Sequence, residues 1–189
     1  MSRPSQVNVA FGFQLGIAAA LLLCAGLMIA DAFHMDGLID EAARSVAGTD
    51  PAEVAQQRSW NVNSTLTTAI PAVLVAGWLA VLAPRVRRGS GLARGLSVAA
   101  LASPIGFVPL VCVGFLAAGP AGSPDATPFS LRLEELYSVG FSDFVASMVS
   151  GLAMIGLTLS VVTIILLFTE PAGSWFRRVA PPGALTVPG

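Results

Sequence analysis

The residues best equipped for chemistry gather just past the first long apolar run. His34 is the only histidine, and Asp31 precedes it by three positions. On a helix that spacing puts imidazole and carboxylate on one face. Asp36, Asp40 and Glu41 follow closely. An imidazole and a carboxylate so placed are two potential ligands for a divalent cation. Two ligands do not complete a coordination shell, and a polar, solvated helix extension accounts for the same residues. Asp143 stands at the start of the last apolar run, where it could face Asp31. Cys24 and Cys112 lie inside apolar runs and read as small buried hydrophobes rather than a disulfide framework.

Other membrane chemistries need residues that are missing. Bis-histidine haem ligation needs a second histidine, and thiol oxidoreductases need paired reactive cysteines. Proton-coupled exchange needs an acid inside the membrane. A serine–histidine site would need the nucleophile elbow that the sequence lacks. No catalytic residue, metal or cofactor is expected, and the chain is read as a non-enzyme.

The elements that would position these residues follow from composition. Of 189 residues, 54% are hydrophobic and 11% charged, and the mean hydropathy is +0.77. Soluble domains carry about 25% charged residues, so this chain could not cover its surface in water. Four runs, at about 9–30, 66–83, 96–118 and 144–168, hold no charge. Each suits the roughly 20 helical residues that a hydrocarbon core about 30 Å thick requires. The first run exceeds the apolar stretch of a signal peptide, and Leu23 before Cys24 does not suit a lipoprotein site, so it is read as a retained span. The net charge of −1 suggests no nucleic-acid partner.

Arginine bookkeeping orients the spans. Arg3, Arg85, Arg87, Arg88, Arg94, Arg177 and Arg178 belong to one set of flanking segments; Arg44, Arg58 and Arg132 belong to the other. Seven against three places both termini in the cytoplasm of a multi-pass cell-membrane protein. Arg85, Arg87, Arg88 and Arg94 set topology in the loop between spans two and three and can touch anionic lipid head groups. Ten of the eleven acids fall on the outer side. Trp60, Tyr137, Trp78 and Trp175 fall near span ends, as interfacial aromatics do. The segment Trp175-Phe176-Arg177-Arg178 reads as an interfacial anchor within a cytoplasmic tail at 169–189.

The outer segments read as helical. Met35, Leu38, Ile39, Ala42 and Val46 mark one helical face. Gly48 stops that helix, and Asp50-Pro51-Ala52-Glu53 restarts one, with a capping Asp, a first-turn Pro and a Glu three residues on. Ala55, Ser59, Val62 and Leu66 continue a stripe into span two. An outer hairpin over 31–65 is therefore expected. In the outer connection at 119–143, turn-forming residues precede a helix from Ser130, which carries Leu133, Leu136, Tyr137, Gly140 and Phe141 into span four. The expected fold is an all-α membrane protein. Its four transmembrane helices form an up-down bundle, and the first, second and fourth extend into an outer helical cap.

Within the spans, Gly12, Gly16 and Ala20 recur at every fourth position, as do Ser147 and Gly151. Small residues at that spacing let helix backbones approach in lipid. Pro71 in span two, and Pro104 and Pro109 in span three, predict kinks. Such breaks can mark a transported substrate's site, although no charge accompanies them.

At Arg87-Arg88-Gly-Ser-Gly-Leu-Ala-Arg94 and at Trp60-Asn-Val-Asn-Ser-Thr-Leu-Thr-Thr-Ala-Ile-Pro71, the chain resembles small uncharacterised four-helix membrane proteins of actinobacteria. In that group an arginine-rich loop commonly joins spans two and three. The resemblance implies four helices with cytosolic termini and transfers no activity and no functional residue. The function expected is that of a non-catalytic membrane scaffold or accessory subunit. It would associate through helix faces and its acidic outer cap, with membrane lipid and with another membrane protein or a second copy. The alternative is a small transporter or lipid-binding protein using the proline-broken third helix.

Overall fold

A computed structural model describes residues 4–103, 127–138 and 140–179. The described residues form six helices and no strand: α1 (Ser5–Ser45), α2 (Pro51–Arg87), α3 (Gly91–Ser103), α4 (Pro128–Tyr137), α5 (Phe141–Phe168) and α6 (Glu170–Val179). Three of them, α1, α2 and α5, are long and apolar enough to cross a membrane. The 41 residues of α1 amount to about 60 Å at 1.5 Å each, twice the thickness of a hydrocarbon core. The third apolar run contributes α3, and its remainder, with Pro104 and Pro109, lies outside the described residues. Pro71 sits within the continuous helix α2.

The chain divides into two compact units, and α1, α2 and α5 each contribute to both. In the second unit, built from Leu21–Val73 and Leu110–Met154, Ile39, Ala42, Phe129 and Leu133 form a buried cluster. Met35, Leu38, Val54 and Leu136 pack against it. The stripe expected over Met35, Leu38, Ile39 and Ala42 is therefore the packed face of α1. The expected turn is present as well: Gly48 has φ 77°, and Asp50 Oδ1 accepts the Ala52 N–H at 2.9 Å. This satisfies a free donor at the start of α2.

Two local expectations need correction. The stripe Ala55, Ser59, Val62 and Leu66 is exposed; the partly buried positions of α2 here include Val54 and Asn61, with Ala69 fully buried. Hydrophobic periodicity locates a helix, but where lipid is the solvent it does not say which face turns inward. Secondly, the helix expected to run from Ser130 into the last span is two helices. Thr127 caps α4, its side chain accepting the Ser130 N–H, and Gly140 at φ 94° separates α4 from α5. The segment after the last span, read only as a tail with an interfacial anchor, folds as α6, where Ala172 and Phe176 are buried.

In the first unit, built from Met1–Ala20, Leu74–Pro109 and Ile155–Gly189, the first turns of α1 and α3 meet the last turns of α2 and α5. Val7, Ala10, Leu82, Val86, Ala93, Leu167, Ala172 and Phe176 form one buried cluster. The α2–α3 connection is short because its end is specified. Gly89 donates to the Val86 carbonyl at 2.9 Å and Ser90 to that of Arg85 at 3.1 Å. These are the paired bonds of a Schellman motif, with Gly89 at φ 88°. The Ser90 hydroxyl then accepts the Ala93 N–H at 3.3 Å, capping α3.

A Cβ at Gly89 would be held in the left-handed region, at a cost of roughly 1–2 kcal/mol. Gly89→Ala should lower the unfolding free energy by that amount in denaturant titrations followed by circular dichroism. An unchanged midpoint would show that this turn does not adopt the left-handed conformation.

Candidate functional site

The outer-segment residues singled out for chemistry come together in the second described unit, but not as a metal site. Asp31, near the middle of α1, accepts a hydrogen bond at 2.7 Å from Ser142 Oγ in the first turn of α5, and Ser142 is fully buried. His34, one turn along, packs edge-on against Phe141, with centroids 5.3 Å apart and rings at 76°. Among the described residues, no group of three or more His, Cys, Asp or Glu side chains gathers as a metal site would require. Asp31 and His34 each join α1 to α5.

The remaining polar groups here follow the same pattern. Asn61 on α2 donates to the Ala32 carbonyl at 3.0 Å and to Asp36 Oδ1 at 3.2 Å on α1. Arg58 pairs with Asp40 on the same two helices. That pair is largely exposed, so it adds little stability. Glu53 stands where a capping box would use it, yet it accepts from the Thr127 hydroxyl. That hydroxyl also accepts the Ser130 N–H at 3.1 Å. One side chain thus caps α4 and fastens it to α2.

Tyr137 ends α4 beside both outer acids. Burial raises the phenol's pKa, and the negative charges of Asp31 and Asp143 raise it further. Asp31 and Asp143 therefore act on one group, and the phenol stays protonated at neutral pH. The arrangement has the chemistry of an acidic clasp between helices: carboxylates accept from Ser142, Asn61 and Arg58.

The arginines divide by environment. The Arg87 guanidinium lies over Phe11 at 5.1 Å, and that of Arg94 over Phe168 at 5.0 Å and Phe176 at 5.2 Å. Such contacts hold a cation against an apolar surface. Arg94 is half-buried, whereas Arg85, Arg87 and Arg88 are exposed. The small residues Gly12, Gly16, Ser147 and Gly151 are exposed and Ala20 is half-buried, so α1 turns this stripe away from its own interior. That interior is lined by Val7, Ala10, Gln14 and Ile17. Gln14 and Asn61 escaped the sequence reading, which sought charges in the spans. The available signal was an amide side chain within, or just before, an uncharged run.

Comparison of the chain with protein-family models, with characterised proteins and with solved structures gives no match in any of the three.

Tyr137 is the only tyrosine, so tyrosinate absorbance reports it alone. The folded protein should titrate above the ordinary value of 10.0. Asp31→Asn, which still accepts from Ser142, should move the midpoint down without reaching that value, because burial is the larger cause. The folded state holds this proton more tightly than the unfolded chain does. The contribution to stability is therefore complete below pH 10.0 and is lost as pH rises through the folded-state value. A midpoint at or below 10.0 would contradict the clasp geometry.

Proposed function

We propose that the chain is a non-catalytic integral membrane scaffold or accessory subunit of the cell membrane. It crosses the bilayer four times in up-down order, with both termini in the cytoplasm, and it binds a second membrane protein or another copy of itself through an exposed helix face. Three apolar helices of spanning length support the membrane reading, and the arginine asymmetry supports the orientation. The observation that carries the reading is the small-residue face. A Cβ added at Gly12, Gly16 or Gly151 would meet nothing within 4 Å. In lipid, apolar burial drives little association, whereas a face of small residues allows close backbone packing and gains dispersion contacts. Here that face is left uncovered by the described helices of this chain.

The alternative is a small transporter or lipid-binding protein, framed on Pro104 and Pro109. It draws on one further observation: polar side chains without a partner among the described residues are buried within the first unit.

The open space around these glycines makes the scaffold reading testable without disturbing the fold. Gly12→Leu with Gly16→Leu should leave thermal unfolding in mild detergent unchanged, because no described atom stands where the side chains begin. The same variant should lower the cross-linked fraction by about tenfold, equivalent to roughly 1.4 kcal/mol of association energy. A wild-type particle that is strictly monomeric, with no co-purifying protein, would contradict the proposal. So would cross-linking indifferent to the two leucines.

A further inference from the structure

We propose that Gln14, Ser97 and Thr163 form a polar layer inside the first unit. It holds a small neutral guest that both donates and accepts hydrogen bonds, namely water in the resting protein. All three residues are fully buried. Neither Nε2 nor Oε1 of Gln14, nor Oγ of Ser97, has a hydrogen-bond partner among the described residues. Buried amides and hydroxyls without partners are rare, and where they occur an ordered water commonly completes them.

Helical register places the three together. Ala10, Val86, Ala93 and Leu167 belong to one packed cluster. One turn further into α1 from Ala10, on the same face, stands Gln14; one turn from Ala93 into α3 stands Ser97. One turn back into α5 from Leu167 stands Thr163. Each is displaced from the shared apolar layer by four residues, about 6 Å. The three therefore form the next layer.

The groups present determine the guest. The Gln14 amide offers two donors and an acceptor, and the Ser97 hydroxyl offers one donor and accepting lone pairs. Thr163 commits its proton to the Leu159 carbonyl at 2.7 Å, which leaves its oxygen to accept. A guest here finds both donors and acceptors, enough for the three or so bonds typical of buried water. A bare cation does not suit the layer. The apolar runs contain no carboxylate, and a dehydrated charge without a counter-charge is far costlier than a neutral dipole.

The proposal goes beyond the scaffold reading and does not depend on it. The full chain, reconstituted in lipid bilayers with isotope-labelled glutamine side chains, can be studied by solid-state NMR with magnetisation starting on water. The Gln14 amide is identified by its disappearance in Gln14→Leu. In the wild type it should receive magnetisation from water. Ser97→Leu, which fills the layer with methyl groups, should abolish that transfer while the Gln14 resonance persists. If the leucine variant fails to fold, Ser97→Ala removes one hydroxyl and should slow the transfer. A Gln14 amide that receives no water magnetisation would overturn the proposal, as would transfer unaffected by substitution at Ser97. A Gln14 resonance that shifts when sodium replaces choline in the buffer would identify a cation and overturn the neutral guest.

Discussion

A polar group in hydrocarbon has no water to turn to, so it must find its partner within the protein. The fold follows from that constraint. Helices satisfy their own backbone, and the polar side chains are drawn inward while apolar ones face out. Gln14, Ser97, Ser142, Ser160 and Thr163 are buried. Leu22, Leu74, Met154, Ile155 and Ile165 are exposed. In water that distribution would be inverted. In lipid it is the arrangement that leaves fewest polar groups unsatisfied.

The two units meet this constraint differently. In the second, nearly every polar side chain of interest has a partner on another helix: Ser142 with Asp31, Asn61 with Asp36, Thr127 with Glu53. The bonds tie helix to helix. In the first, an apolar cluster joins five helices, and two arginines are held over aromatic rings above it. The Gln14 layer next to that cluster is where polar groups are left over. Scaffold and guest-binding site can therefore coexist, because one uses the outside of α1 and the other its inside.

Much of the helical layout was legible in the residues. Three of the four long uncharged runs fall on helices of spanning length, α1, α2 and α5, and Asp50-Pro51 marked the start of α2. The 35, 38, 39, 42 spacing located the packed face of α1, because that segment behaves like an ordinary amphipathic helix. Failures came where lipid changes the meaning of a pattern or where one dihedral decides. The stripe from Ala55 to Leu66 had the right period and the wrong face. Gly140 sits in an unbroken helical pattern, yet its φ is positive and α4 ends before it. Of the site, Asp31 and His34 were found and read as a solvated helix extension, with a metal pair as the lesser reading. Their contacts with Ser142 and Phe141 on α5 join residues more than a hundred positions apart, which spacing along one helix does not show. Gln14 was missed because a neutral amide gives no charge signal.

The central claim is that exposed apolar residues on the long helices face lipid. Nitroxide labels at Leu74 and Ile155, which are 67% and 57% exposed, test it directly in reconstituted bilayers. The account predicts strong relaxation by dissolved oxygen, which partitions into hydrocarbon, and almost none by a water-soluble nickel chelate. Labels relaxed chiefly by the nickel chelate would mean that water surrounds these helices, and the structure would then need a different explanation.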